Sequence, residues 1–270
     1  GDVSIGKLFI AGFIPGFIMA ALFSGYVFLV CLINPRLAPR GEDRYTWNQR
    51  LKAIPQILPV AVLILVVLGS IYAGWATPTE AGAVGVAGSV VFALATRSFS
   101  RQALRESLFG GIKTSSMIML IVMGAAYLSV VVGYLGITRK LTAAVTEMGL
   151  SPYMLIVILS LLYVLLGCLI DGFSMIVMTT PIVLPMVETA GFDPVWFGVI
   201  FIINMEIAEL SPPIGLNIFY MKAVVGEMAT TGQIYRAVIP FILILLAALI
   251  LIVVFPPLVT WLPNLIIRPV

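Results

Sequence analysis

Two short polar stretches interrupt an otherwise apolar sequence, and their residues are the ones equipped for chemistry. The first is GWATPTE, Gly74 to Glu80, and the second is SPPIGLN, Ser211 to Asn217. Thr77, Thr79 and Ser211 bring hydroxyls, Asn217 an amide and Glu80 a carboxylate. Pro78, Pro212 and Pro213 each remove a backbone N–H and fix φ. Gly74 and Gly215 permit backbone conformations that other residues resist. A helix broken in this way inside a bilayer frees carbonyl and N–H groups that hydrocarbon cannot satisfy. Freed carbonyls suit a hard cation such as sodium, and an exposed helix N-terminus suits an anion. The chemistry on offer is ion and solute binding rather than bond breaking. The plainer alternatives are a capped turn and a proline kink. In the first, Thr77 caps, Pro78 fills the first turn and Glu80 favours the dipole. The second is a simple kink at Pro212 and Pro213. Two hydroxyl-rich breaks in one chain favour binding.

The remaining acids at membrane depth are Asp171, Glu206 and Glu209. Such charges are rare in spans and are usually paired or functional. Glu206 and Glu209 lie three apart, on one helix face, just before the second break. They coordinate a cation or carry a proton, or else reach an interface or hydrogen-bond backbone. Asp171 reads equally as a loop residue at the end of a span, and Asn204 as a cap or bridge between helices. Gly82, Gly85 and Gly88 read as packing. An enzyme is not expected. There is no histidine, which removes the commonest general base and zinc ligand. Only Asp171 among the aspartates lies near membrane depth, where an intramembrane aspartyl protease wants two. A phosphate-binding GxxxxGK[ST] loop is absent. No catalytic residue or organic cofactor is therefore assigned. Cys31 and Cys168 read as small buried hydrophobes rather than a disulfide.

The elements that must position these residues follow from composition. The 270 residues are 61% hydrophobic and only 10% charged, with mean hydropathy +1.15. That exceeds what one water-soluble core needs. Apolar runs of about twenty residues without period-2 alternation indicate an all-α polytopic membrane protein. The net charge of +3 says little about partners. Arg36, Arg40, Arg44, Arg50 and Lys52 outweigh Glu42 and Asp43, and Arg97, Arg101, Arg105 and Lys113 outweigh Glu106. These two stretches mark the cytoplasmic side and are not a nucleic-acid surface. Spans are expected over 7–33 with a kink at Pro15, 57–74, 81–96, 114–135 and 152–170. An amphipathic segment follows at 137–149, and a helix bent at Pro181 and Pro185 after Asp171. A helix broken at mid-depth starts at Pro194, and a last span covers 238–261. This arrangement leaves the C-terminus extracytoplasmic, with Trp261 near the interface. Both flanks of 54–96 are basic, so that region enters and leaves on one side. Two short spans or a re-entrant hairpin would satisfy this, and the short arms favour the hairpin. The chain begins at Gly1 without methionine or a signal-peptide pattern, which reads as a fragment or part of a larger subunit.

The stretches SIYAGWATPTEAGAVGV, LLGCLIDGFSMIVMTTPIVLPM and FGVIFIINMEIAELSPPIGLNIFYM carry a resemblance, supported by SIGKLFIAGFIPGFIMA and FPPLVTWLP. Together they resemble the C-terminal half of the large membrane subunit of TRAP (tripartite ATP-independent periplasmic) transporters. The resemblance implies an elevator-type ion-transporter fold, of which this is one of two inverted repeats with a re-entrant hairpin and a broken helix. It implies sodium-coupled import of a small carboxylate across the bacterial inner membrane. Its implied partners are a periplasmic substrate-binding protein, a small membrane subunit, the missing N-terminal repeat and the lipid bilayer, with no nucleic acid. It divides the chain into a scaffold helix and basic loop (1–53), a hairpin with its tip at 74–80 (54–113), transport-domain helices with the break at 209–217 (114–236), and a C-terminal scaffold helix (237–270). Sodium would lie near Thr77 and Ser211, between the hairpin tip and the break, with substrate close by. Two departures stand out. Ser211 replaces the usual threonine, and Ala208 and Glu209 stand where a glycine and an apolar residue are common. Glu209 thus adds a charge beside the expected site. Two other functions stay open: a binding-protein-independent anion transporter of elevator type, and a structural subunit that has lost transport.

Overall fold

A computed structural model of the chain describes residues 3–35, 46–147, 149 and 151–266. The basic-loop residues Arg36, Arg40, Arg44, Glu42 and Asp43 lie outside them. Among the described residues the regular elements are helical. Five helical stretches there are long and apolar enough to cross a membrane, with Ile57–Tyr72 and Pro152–Gly167 as shorter apolar helices. The all-α polytopic expectation therefore holds.

The chain divides into two compact units, Val27–Met117 and Gly1–Tyr26 with Ile118–Val270. The smaller unit is built on a helical hairpin. Helix α3 (Trp47–Tyr72) is followed by α4 (Pro78–Ala95), and the two pack together. Small residues permit their approach: a Cβ on Gly85 would lie 3.2 Å from Val67, and one on Gly88 2.5 Å from Leu63. Gly82 meets nothing comparable. Helix α3 begins ten residues before the apolar run does. Glutamine, arginine and lysine are good helix formers, so the polar end expected as loop continues the helix.

The larger unit begins with α1 (Ile5–Ala11) and the first part of α2 (Phe13–Ile33), whose residues from Val27 on belong to the smaller unit. The expected kink at Pro15 falls instead at Gly12, and Pro15 sits in the first turn of α2, where a missing N–H costs nothing. Helix α5 (Arg101–Leu135) is one 35-residue helix, so the second basic stretch is helical from Arg101 on, while Arg97 lies in the preceding turn at φ 54°. Helix α6 (Ile137–Glu147) follows, then α7 (Pro152–Gly167), α8 (Gly172–Thr189), α9 (Pro194–Leu210), α10 (Leu216–Val225), α11 (Thr231–Val254) and α12 (Pro257–Ile266). The expected single span 238–261 is two helices, because Pro256 and Pro257 cannot donate to the ladder. The boundaries drawn at 53, 113 and 236 fall inside α3, α5 and α11, so they mark expected roles rather than breaks in the chain.

Helix α9 is the centre of the larger unit, packing against α1, α7, α8, α10, α11 and α12. Its Trp196, Ile200, Ile203, Ile207 and Ala208 are buried. Tyr163 of α7 meets the Phe201 ring edge-on at 4.4 Å. The end of α7 approaches α9 closely: a Cβ on Gly167 would lie 2.6 Å from the Ala208 Cβ. Small residues at such crossings bring backbones together where lipid supplies no hydrophobic drive. Gly167→Ala is expected to destabilise the fold by about 1–3 kcal/mol through overpacking. Adding Ala208→Gly should recover most of that loss, since the clash is between two methyl groups. SDS titration of the purified protein measures both.

Candidate functional site

The first polar stretch forms the turn between α3 and α4. Gly74 adopts φ 69°, and the chain closes α3 with two bonds characteristic of a left-handed helix end. Trp75 N–H donates to Ser70 O at 2.9 Å, and Gly74 N–H to Ile71 O at 3.1 Å. Thr77 then caps α4, with Pro78 following at its start. The cap is reciprocal. Glu80 N–H donates to Thr77 Oγ1 at 3.3 Å, and Thr77 N–H donates to Glu80 Oε2 at 2.8 Å. The Thr77 hydroxyl also donates to Glu80 Oε2 at 2.8 Å. Both side chains expected to bind an ion are thus engaged with each other. Thr79 is exposed in the first turn of α4.

The second stretch lies in the larger unit and breaks α9 from α10. Ser211 ends α9 in an extended conformation. Its hydroxyl turns back to donate to Ile207 O at 2.6 Å, and its N–H donates to Ala208 O at 3.0 Å. Pro212 and Pro213, joined by a cis peptide, bring no N–H to the carbonyls of Ala208 and Glu209. Gly215 precedes α10 with φ 54°, and α10 starts without a side-chain cap. The segment Ser211–Gly215 is therefore unwound backbone between two half-helices.

Glu209 reaches across this break. Its Oε2 accepts from Asn217 Nδ2 at 3.1 Å. Its Oε1 lies against the start of α8, where a Cβ on Gly172 would be 3.0 Å away. The structure thus brings Glu209, Asn217 and Gly172 together around the break. Glu206, one turn earlier, is exposed. Asp171 is the cap of α8, accepting from Ser174 N–H at 3.0 Å. Asn204 is buried in α9, donating to Ser160 Oγ at 3.1 Å and Ile200 O at 3.0 Å. Its Oδ1 is buried without a partner.

Two residues at the break were not assigned to it from the sequence. Cys168 is buried, and its Sγ rests 3.4 Å from Pro212 O. Tyr235 of α11 donates its hydroxyl to Ile214 O at 2.8 Å and to Pro213 O at 3.2 Å. Each meets its partner from more than twenty residues away, which no local spacing encodes. Cys31 and Cys168 are both free thiols.

Residues 1–258 match the family described as "Tripartite ATP-independent periplasmic transporter, DctM component". The chain belongs to that family. It is 33% identical over 265 residues to the C4-dicarboxylate TRAP transporter large permease protein DctM of Pseudomonas aeruginosa, covering 97% of this chain and 61% of that protein. It is 30% identical over 267 residues to the ectoine/5-hydroxyectoine TRAP transporter large permease protein UehC of Ruegeria pomeroyi, covering 98% and 61%. It is 28% identical over 270 residues to the sialic acid TRAP transporter large permease protein SiaM of Vibrio cholerae, again covering 98% and 61%. The chain thus spans about three-fifths of the length of these curated relatives. The family is one of transporter components rather than enzymes, and its large permeases are multi-pass proteins of the bacterial inner membrane. Both polar stretches lie within the matched residues.

Proposed function

We propose that this chain forms part of a sodium-coupled TRAP permease importing a small carboxylate. The observation that carries the reading is the unwound segment Ser211–Gly215, between the end of α9 and the uncapped start of α10. Backbone of this kind is tolerated at membrane depth where it is enclosed by protein or lines a cavity, and transporters use it to bind ions. The carbonyls on the α9 side suit sodium. The N–H groups that open α10 suit a carboxylate. C4-dicarboxylate and sialic acid, in the names of two relatives, are substrates of that chemistry. The TRAP resemblance implies a contribution to sodium binding from the hairpin tip Gly74–Glu80 as well. Because Thr77 and Glu80 cap each other, the tip contributes backbone groups held in shape by that cap. A periplasmic binding protein delivers the substrate, a small membrane subunit joins the permease, and import proceeds by an elevator-type movement.

The test is uptake by the full-length permease with its small subunit and binding protein, in proteoliposomes. Replacing external sodium by choline should remove uptake. Ser211→Ala should raise the sodium concentration for half-maximal uptake roughly tenfold, as loss of a group worth about 1.4 kcal/mol would. Uptake that persists unchanged without sodium, and with Thr77→Ala and Ser211→Ala combined, would falsify the proposal.

A further inference from the structure

Tyr235 stands four residues into α11, yet its hydroxyl meets the break. It donates to Ile214 O at 2.8 Å and to Pro213 O at 3.2 Å, so one hydrogen is shared between two carbonyls. The helical donor for Ile214 O would be the N–H of Ile218, which instead turns to Gly215 O at 2.8 Å. The phenol therefore takes the place of a missing backbone donor. Gly215 lies under the same hydroxyl. A Cβ there would be 3.2 Å from Tyr235 Oη and 3.1 Å from Ser211 O. Tyr235 and Gly215 are thus fitted to each other, and Cys168 Sγ lies on the same segment, 3.4 Å from Pro212 O.

We propose that Tyr235 is a positioning residue whose hydroxyl latches Pro213–Gly215 to α11. Without that hydrogen, two carbonyls of the unwound segment lose their protein donor, and the segment relaxes to find another. The latch stands on the geometry alone. Its effect on ion binding rests on the sodium reading above.

Cys168 is a native reporter of the segment. In the full-length permease with its other cysteines changed to serine, the rate of N-ethylmaleimide labelling reads how tightly the segment covers the thiol. Tyr235→Phe keeps the ring and removes the hydroxyl, and is expected to speed labelling of Cys168 about tenfold. A second reporter, Val187→Cys with Cys168→Ser, places a thiol at a position 0% exposed in α8. Its labelling should not change. Sodium should slow Cys168 labelling in the parent, and Tyr235→Phe should raise the half-protecting sodium concentration several-fold. An unchanged Cys168 rate overturns the latch. Equal acceleration at Val187→Cys also overturns it, because the hydroxyl would then hold the core rather than the segment. Acceleration at Cys168 alone, with no sodium protection in the parent, upholds the latch and overturns the sodium reading.

Discussion

Gly215→Ala is expected to reduce sodium-dependent uptake at least 30-fold while leaving the protein in the membrane. Two costs combine at this one position. Alanine at φ 54° carries a left-handed penalty of about 1–2 kcal/mol. Its Cβ would also sit 3.1 Å from Ser211 O and 3.2 Å from Tyr235 Oη, and crowding of that kind costs about 1–3 kcal/mol. Together they come to roughly 2–5 kcal/mol, which at about 1.4 kcal/mol per tenfold depletes the intact segment by about 30-fold or more. Asparagine separates the two, because it tolerates left-handed backbone but still carries a Cβ. If Gly215→Asn restores uptake, conformation dominates. If it is as poor as alanine, the close fit to Tyr235 dominates. Uptake by Gly215→Ala equal to the parent's would remove the unwound segment from the mechanism.

Trp196→Ala is expected to cost about 3–5 kcal/mol, the range for emptying a buried aromatic site. The side chain is 1% exposed and stacks on Phe192 at 4.8 Å. Its Nε1–H donates to Ile252 O at 3.1 Å. That carbonyl needs an outside donor, because its helical partner would be the nitrogen of Pro256, which has no hydrogen. Trp196→Phe keeps most of the ring and orphans the carbonyl, so a loss of about 1–3 kcal/mol is expected from that bond alone. SDS titration of both variants gives the two terms. A phenylalanine variant as stable as the parent would show that the indole N–H contributes nothing.

Much of this was legible in the sequence for local reasons. Thr77, Pro78 and Glu80 cap a helix through contacts three residues apart, and Pro212, Pro213 and Gly215 end one and start another by their own backbone chemistry. Hydropathy was a weaker guide to boundaries. It placed the start of α3 at its apolar part, the first kink at Pro15 instead of Gly12, and one helix where Pro256 and Pro257 make two. Asp171 left two readings open, and the cap it makes with Ser174 fits the span-end one. Tyr235, Cys168 and the Trp196 bond were not legible. Each joins residues brought together only by packing of separate helices, and no spacing around Tyr235 marks its partner.

Helix α11 touches the broken helix at two distant points. Near its start Tyr235 holds the unwound segment, and near its end the Ile252 carbonyl holds Trp196, close to the beginning of α9. At about 1.5 Å per residue these anchors are roughly 25 Å apart. In mechanical terms α11 is a splint laid along a fracture. A break so braced is stiffened against bending as a hinge. On the elevator-type import proposed above, the break would then move by rigid-body displacement, with the give located elsewhere in the chain.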